Sequence, residues 1–204
     1  VNTYITDYTF FQMIGARDQG KAVLDLACGE GRYCRILKQR GAARVVGVDI
    51  SAGMINLAKQ QETNTPLGID YLCRDVLALG QIGEFDLVVA SFLLNYAQTK
   101  EQLVDMCRTV YANLKPGGQF ILLNENFNQA PQDFRGYERY GYAKRMAEPY
   151  QEGAVITYTM STGAEELQFD GYYWSKETYQ RAFAQAGFTD VQLQALRCSP
   201  QGIE

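Results

Sequence analysis

The sequence predicts a single α/β domain built on a doubly wound, mostly parallel β-sheet. Three observations support this fold class: short apolar runs alternate with helix-like segments through the first 125 residues, 47% of the 204 residues are hydrophobic, and 21% are charged. Alternating β and α segments are typical of parallel sheets, and this length and composition are typical of one soluble domain. We expect one domain over residues 1–204, with a core at 20–125, an insertion at 126–174, and a C-terminal helix and strand at 175–197.

The first three predicted strands each follow from a local pattern. Ala22–Leu26 is a short apolar run that ends in a glycine-rich turn, and the helical spacing after it stops at Gly41. Arg44–Asp49 is predicted as the second strand, and Ser51 is placed to cap the helix that follows. Residues 69–73 form a short apolar run that predicts a third strand.

The fourth and fifth strands continue the series. Phe85–Ser91 is largely apolar, as expected of a strand that is buried on both faces of a parallel sheet. Thr99 and Gln102 have the spacing of a capping box at the start of the next helix. A Pro-Gly-Gly turn precedes Gln119–Glu125, the predicted fifth strand. Right-handed crossovers between these strands would give an open, doubly wound sheet.

An aromatic-rich insertion follows strand five at residues 126–174. Within it, the alternating runs Val155–Met160 and Leu167–Trp174 predict an antiparallel ribbon. Ser175–Ala186 is predicted as a capped helix, and Val191–Leu196 as a strand. The aromatic rings could wall a lid over a flat or apolar ligand, or they could only attach the ribbon to the sheet.

The composition argues against several function classes. A net charge of −4 and scattered basic residues argue against a nucleic-acid partner. The absence of histidine removes the commonest general base and metal ligand, so no metal site is expected. The longest apolar run, Leu87–Leu94, is too short to cross a bilayer, so no membrane partner is expected. The five widely spaced cysteines predict reduced thiols and a cytoplasmic location, and no secretory leader is recognised.

The densest motif is the turn after the first strand, Asp25-Leu26-Ala27-Cys28-Gly29-Glu30-Gly31. Gly29 and Gly31 allow backbone N–H groups to approach a ligand at a helix N-terminus, although a purely structural tight turn is the alternative. Asp49 ends the second strand, where a carboxylate can accept hydrogen bonds from ribose hydroxyls. Cys34 occupies the place of the third glycine of a dinucleotide fingerprint. An adenosyl ligand is therefore favoured over the dinucleotide of an NAD-dependent dehydrogenase.

The string Asp25-x-Ala27-x-Gly29-x-Gly31 resembles the nucleoside-binding motif of the class I (Rossmann-like) S-adenosylmethionine-dependent methyltransferases. Ala27 stands where the family has its first glycine. Further stretches resemble the family's other motifs in the family's order, and they are Gly47–Ser51, Arg74–Val76, Phe85–Val89 and Leu114–Gln119. The resemblance implies a seven-stranded type of sheet, S-adenosylmethionine as the cofactor, and transfer of its methyl group to a small molecule.

The resemblance also implies which residues contact the cofactor. In chain order they are Asp25, Ala27, Gly29, Gly31, Asp49, Ile50, Met54, Asp75, Val76, Ser91 and Phe92. Asp25 would lie near the methionine ammonium, Asp49 at the ribose and Asp75 at the adenine amino group. The alternatives are that Met54 belongs to the core and that Ser91 is a cap.

The acceptor is expected to be a heterocyclic nitrogen or oxygen. Leu24–Gly31, Leu93–Ala97 and Tyr140–Tyr142 resemble small-molecule N-methyltransferases of the toxoflavin pathway. No residue is assigned as catalytic, and the candidates for a base are Glu125, Tyr140 and Tyr142. The leading candidates for the aromatic wall are Tyr140, Tyr142 and Tyr173. The alternative function is a non-catalytic regulatory or partner module that binds S-adenosylmethionine without turnover.

The end of the chain raises one further expectation. In the family the seventh strand is antiparallel and lies between strands five and six. If Val191–Leu196 is strand six, only residues 197–204 follow it, and they have the composition of a loop. We therefore expect the natural chain to continue beyond Glu204. The expectation fails if Val191–Leu196 itself fills the antiparallel place beside strand five.

Overall fold

The computed structural model describes residues 3–138, 141–161 and 166–202 of the chain. The chain divides into two compact units, called unit 1 and unit 2. Unit 1 comprises Val1–Phe92, Arg108–Leu123 and Asp190–Glu204. Unit 2 comprises Leu93–Cys107 and Asn124–Thr189.

Unit 1 is built on a parallel sheet with the strand order β3-β2-β1-β4-β5. Its strands are β1 (Ala22–Leu26), β2 (Arg44–Asp49), β3 (Asp70–Cys73), β4 (Phe85–Ser91) and β5 (Leu114–Leu123). The helices of its continuous first segment are α1 (Tyr8–Ile14), α2 (Arg32–Gln39) and α3 (Ala52–Asn64), and the boundary between the units runs through α4 (Lys100–Ala112). The predicted parallel sheet is confirmed, with five strands in the described residues.

The two central strands are buried on both faces, as their apolar composition predicts. Val23, Leu24 and Leu26 of β1 are fully buried, and so are the residues from Leu87 to Ala90 in β4. Asp25 lies between Leu24 and Leu26 and is 1% exposed. A carboxyl group in this place is costly unless it is neutral or paired, so Asp25 is the residue of β1 that packing alone does not explain.

Strand β5 begins earlier and ends earlier than the sequence predicts. Leu114 pairs with Phe85 and Gln119 pairs with Leu87, so the residues from Pro116 to Gly118 form an irregularity inside the strand and not a turn before it. A Cβ at Gly118 would lie 2.9 Å from the backbone oxygen of Lys115, which is why a glycine is needed there. The strand stops at Leu123, and the predicted end at Glu125 is wrong.

The predicted strand at Val191–Leu196 is wrong. This segment has no regular secondary structure. Leu193 and Leu196 are half exposed. The Arg197 backbone N–H donates to Thr9 Oγ1 at 2.8 Å, and the Ser199 N–H donates to the Tyr4 backbone oxygen at 2.7 Å. The segment after residue 196 is thus bonded to the N-terminal residues of unit 1. A segment with alternating apolar residues forms a strand only where its backbone can hydrogen-bond to the edge of a neighbouring strand.

Unit 2 contains an antiparallel sheet with the strand order β6-β7-β8 and the helix α5 (Lys176–Ala186). The strands are β6 (Tyr142–Met146), β7 (Val155–Ser161) and β8 (Glu166–Tyr172). The pair β7–β8 forms where the alternating runs predict a ribbon, whereas β6 is not predicted. On one face of this three-stranded sheet, Met146, Ile156 and Tyr158 form a buried cluster with Phe134, which lies in the segment before β6.

Helix caps follow the sequence closely. Ser51 Oγ accepts from the Met54 backbone N–H at the start of α3, and Ser175 Oγ accepts from the Thr178 N–H at the start of α5. Gly187 ends α5 in a left-handed conformation with φ 109°. In the part of the chain that the structure describes, no helix has the length and apolar character of a membrane span, and no three Cys, Asp or Glu side chains converge as a metal site.

Candidate functional site

The loop after β1 lies at the carboxyl edge of the unit 1 sheet, between the ends of β2 and β4. Ala27, Gly29 and Gly31 all have left-handed backbone conformations, with φ of 59°, 56° and 82°. A Cβ at Gly31 would overlap the ring of Tyr71, so this position accepts only glycine without rearrangement. In open parallel sheets such an edge, beside the first strand, is where ligands bind.

Asp49, the last residue of β2, joins this loop to the N-terminus of α3. Its Oδ2 accepts from the Gly29 backbone N–H at 2.8 Å, and its Oδ1 accepts from the Ser51 N–H at 2.8 Å. Each carboxylate oxygen can accept a second hydrogen bond, so both retain capacity for hydroxyl groups of a ligand. The structure therefore brings Gly29 and Asp49 together, although they are 20 residues apart in the chain.

Asp25 is buried, and its carboxyl group is not presented at the surface. The Cys34 thiol donates to Asp25 Oδ2 at 3.1 Å. Burial raises the pKa of Asp25 to about 7, and the charge of Asp49 adds to this effect, whereas the bond from Cys34 opposes it. The charge of Asp25 is consequently sensitive to pH near neutrality.

Large apolar side chains are exposed at the same edge of the sheet. Ile50 and Met54, at the start of the segment after β2, are 69% and 41% exposed, so the alternative that Met54 belongs to the core is wrong. Phe92 follows β4, is 40% exposed and has φ 58°. Exposed apolar groups of this size are the kind that a ligand covers.

The position after β3 is organised by Asp75. Its Oδ1 accepts from the Leu77 backbone N–H at 2.9 Å and so caps the short 3-10 helix Val76–Ala78. Val76 itself is buried. One carboxylate oxygen of Asp75 is thus engaged in the cap, and Oδ2 is the oxygen that remains for a ligand.

The sequence gives no sign of a polar cluster around Asp7. Arg32 donates to both oxygens of the Asp7 carboxylate at 3.0 and 2.5 Å, and the Tyr33 hydroxyl donates to Oδ1 at 2.7 Å. Burial would raise the pKa of Asp7, but these hydrogen bonds outweigh it and hold the pKa below its usual value. The Ser91 side chain, at the end of β4, also interacts with the Tyr33 hydroxyl and slightly opposes the rise in the pKa of Tyr33 that burial causes. The partners are about 25 residues apart, so no local pattern could have indicated them.

Glu125, one of the candidate bases, lies in unit 2 and is paired with a buried lysine. Lys144 Nζ donates to Glu125 Oε2 at 3.0 Å and to Gln129 Oε1 at 2.6 Å, and it lies 4.2 Å from the centroid of the Phe134 ring. The Lys144 and Glu125 side chains are 6% and 16% exposed. The sequence analysis missed Lys144. Lys144 and Glu125 border the same small pocket, which has room for about one water molecule.

Three tyrosines surround Glu125, and they are Tyr142, Tyr158 and Tyr179. Burial raises the pKa of each well above the usual value, and the negative charge of Glu125 adds to the shift. Tyr142 is therefore protonated near neutral pH and can donate a hydrogen bond more readily than it can accept a proton. Tyr140, the other candidate, lies outside the described residues.

Comparisons with known proteins point to one family. A family profile described as a methyltransferase domain matches residues 23–118, which include every position of the loop after β1. N-demethylindolmycin N-methyltransferase of Streptomyces griseus is 29% identical over 185 residues, which cover 90% of this chain and 76% of that protein. Ubiquinone biosynthesis O-methyltransferase of Coxiella burnetii is 34% identical over 112 residues, which cover 53% of this chain and 46% of that protein. The match therefore spans only about half the length of the second relative.

A solved structure shows the same fold. The structure of an amino pentose methyltransferase from Micromonospora echinaspora with bound S-adenosylmethionine has a TM-score of 0.59 and 21% identity to this chain. The likeness covers 89% of this chain and 80% of that one.

Proposed function

Because this chain belongs to the class I S-adenosylmethionine-dependent methyltransferases, we propose that it transfers the methyl group of its cofactor to a nitrogen or oxygen atom of a small heterocyclic molecule. The observation that carries this proposal is the bond between Asp49 and the backbone of Gly29, which joins the loop after β1 to the end of β2. S-adenosylmethionine brings a methyl group activated on a positively charged sulfur. The protein's share is then to bind, orient and desolvate the reacting groups.

The residues of unit 1 fit such a cofactor. We assign Asp49 to the ribose hydroxyls, because both of its oxygens keep a free lone pair. Exposed Ile50 and Met54 are suited to the two faces of an adenine ring, and Asp75 Oδ2 with the Val76 N–H is suited to its edge. These assignments agree with the positions that the family resemblance implies.

The methionine portion is assigned to the loop itself. Gly29 and Gly31 expose the backbone of this loop to the ligand. We also assign Ser91 and Phe92, at the end of β4, to the methionine portion. Asp25 would stabilise a nearby ammonium through its charge, and a positive group beside it would in turn favour ionisation of the carboxyl group. Ala27 holds a left-handed conformation that the family gives to glycine, so the motif keeps its geometry at an energetic cost.

We propose that Glu125 is the group in unit 2 that takes up the proton released by the acceptor atom. Oε2 is bonded to Lys144, which leaves Oε1 to accept the proton. As the acceptor atom forms its bond to the methyl carbon, the bond from carbon to sulfur breaks and its electron pair stays on sulfur. The relatives include an N-methyltransferase and an O-methyltransferase by name, and both acceptor atoms belong to the proposal.

The cofactor assignment is tested by calorimetry with S-adenosylhomocysteine. Asp49→Ala leaves ribose hydroxyls and the Gly29 N–H unpaired, and we expect binding to weaken by about 1–3 kcal/mol, or roughly 5- to 150-fold. Asp70→Ala is the matched control, because Asp70 is exposed at the opposite end of β3. Unchanged affinity in Asp49→Ala would refute the assignment.

Catalysis is tested by incubating the chain with methyl-labelled donor and panels of heterocyclic amines, amides and phenols. A mass increase of one methyl group in an acceptor supports the enzyme. Donor binding without transfer to any of these acceptors would favour the alternative, a regulatory or partner module.

Several further features remain part of the proposal. We propose a cytoplasmic protein that acts as a single domain over residues 1–204 with a small molecule as its partner and without a nucleic-acid or membrane partner. The five cysteines, all without disulfide partners, and the net charge of −4 support it. The lid role of residues 126–174, the seven-stranded type of sheet and the kinship to toxoflavin-pathway enzymes also stay proposals.

A further inference from the structure

Arg32 is the first residue of α2 and directly follows the loop after β1. Its guanidinium donates to both oxygens of the Asp7 carboxylate, at 3.0 and 2.5 Å, and it also interacts with the Tyr33 hydroxyl. A guanidinium has five N–H groups, so these contacts leave at least two of them for another acceptor. The Arg32 side chain is 50% exposed, whereas that of Asp7 is 9% exposed. Arg32 therefore keeps donors and accessible surface for a ligand.

A polar network places the Arg32 guanidinium at the ends of β1 and β4. Asp7 Oδ1 accepts from Arg32 and from the Tyr33 hydroxyl, and Tyr33 in turn interacts with the Ser91 side chain. Ser91 is the last residue of β4, which pairs with β1. The guanidinium thus lies at the same carboxyl edge of the sheet as Gly31 and Ser91, which are assigned above to the methionine portion of the cofactor.

Asp7 is fixed firmly enough to hold this arginine in one orientation. The bonds from Arg32 and Tyr33 outweigh burial and keep the pKa of Asp7 below its usual value, so its carboxylate is charged at neutral pH. Two residues further on, Thr9 Oγ1 accepts from the Arg197 backbone N–H at 2.8 Å and ties this segment to unit 1. An arginine that is already oriented loses less entropy when it binds a ligand.

The charges around the loop after β1 are mainly negative. Three acidic residues lie in the loop or beside it, and they are Asp25, Glu30 and Asp49. Arg35, the second arginine in the first turn of α2, donates to Glu62, and its side chain is only 14% exposed. A carboxylate that binds at this loop needs a positive partner, and Arg32 is the arginine of the first turn that has exposed donors.

We propose that Arg32 binds the carboxylate of the methionine portion of the cofactor, and that Asp7 is the positioning residue that holds the guanidinium in place. The proposal rests on the cofactor assignment above. The methionine portion carries an ammonium as well as a carboxylate, and Asp25 is assigned to the ammonium. Arg32 supplies the opposite charge. The site therefore selects an adenosyl compound with a complete amino acid end over its decarboxylated form, which keeps only the ammonium.

Calorimetry with three adenosyl compounds tests the role of the carboxylate. S-adenosylhomocysteine has the complete amino acid end, decarboxylated S-adenosylhomocysteine lacks only the carboxylate, and methylthioadenosine lacks both charged groups. We expect the wild-type chain to bind the first about 10- to 100-fold more tightly than the second, because only the first can accept from Arg32. Equal affinities for these two compounds would overturn the proposal.

Arg32→Met keeps an apolar stem and removes the charge. We expect it to weaken the binding of S-adenosylhomocysteine by about 10- to 100-fold and not to weaken that of the decarboxylated compound. Lys38→Met is the matched control, because it removes one positive charge from the last turn of the same helix, and it should keep the wild-type preference. Equal losses for both compounds in Arg32→Met would show a structural role and overturn the proposal.

Asp7→Asn separates a positioning role from competition for the arginine. Asn keeps the size of the side chain but offers Arg32 one uncharged oxygen in place of two charged ones. We expect the preference for S-adenosylhomocysteine over the decarboxylated compound to fall severalfold. Tighter binding of S-adenosylhomocysteine would show that Asp7 occupies the place of the ligand carboxylate. That result, or an unchanged preference, would overturn the positioning role.

Methylthioadenosine distinguishes failure of this proposal from failure of the cofactor assignment. If the wild-type chain binds none of the three compounds, the cofactor assignment itself fails. If it binds all three with equal affinity, the adenosyl site stands and the role of Arg32 fails. Asp49→Ala should weaken all three to the same extent, because the ribose hydroxyls are common to them.

Discussion

Replacing Asp25 with Asn removes a carboxyl group that is buried in the central strand β1 and keeps the size of the side chain. In the wild-type protein, burial raises the pKa of Asp25 from 3.8 to about 7. One pKa unit corresponds to about 1.4 kcal/mol, so ionising Asp25 in the folded state costs up to about 4 kcal/mol relative to the unfolded chain. Asn cannot ionise, so Asp25→Asn is free of this cost at every pH.

The sign and the pH window follow from the raised pKa. The stabilisation from the protonated Asp25 is fully present below pH 3.8, and it is lost as the pH rises towards about 7. The window between pH 5 and 8 is unusually clean in this protein, because the chain contains no histidine. Burial also raises the pKa of Cys107 to about 12 and that of Cys34 well above its usual value.

The measurement is urea unfolding of the cofactor-free protein between pH 5 and 8, followed by circular dichroism. We expect the free energy of unfolding of the wild type to fall by about 2–3 kcal/mol over this range, and that of Asp25→Asn to stay within about 0.5 kcal/mol. Asp70→Asn, at an exposed site, should follow the wild type. Parallel curves for the wild type and Asp25→Asn would refute the reasoning, whatever their absolute difference.

The loop after β1 gives two further predictions, both read from urea unfolding. Ala27→Gly should raise the free energy of unfolding by about 1 kcal/mol, because glycine tolerates φ of 59° without strain. Ala184→Gly, in the exposed part of α5, should instead lower it by about 1 kcal/mol, and a loss in both variants would contradict the assignment of strain. Gly31→Ala should be more destabilising than Gly29→Ala by about 1–3 kcal/mol, since a Cβ meets Tyr71 only at position 31. Equal losses at the two glycines would show that the backbone conformation alone matters.

The parallel sheet could be predicted from the sequence because its signals are local. The observed bounds of β1, β2 and β4 agree with the apolar runs that predict them, and Ser51 and Ser175 cap the helices where their spacing indicates. Each of these features depends on residues within a few positions of one another. Burial of an uninterrupted apolar run on both faces of a sheet leaves few other arrangements.

Two elements could not be predicted, and the reason is the same for both. Strand β6 contains Lys144 and Arg145, which make it look like a solvated loop, and Lys144 becomes compatible with burial only through Glu125 and Gln129, 19 and 15 residues away. Val191–Leu196 has the alternation of a strand but does not form one. A strand depends on its partner edge, which its own sequence does not specify.

The sequence by itself determined which segments form the parallel strands, and it located the loop that is proposed to hold the cofactor. It did so because apolar periodicity, glycines and caps act over a few residues. Only the tertiary structure decided the protonation of Asp25, the bond from Gly29 to Asp49 and the bonds from Arg32 to Asp7. These properties depend on the exclusion of water and on groups distant in the chain, and both exist only once the chain has folded.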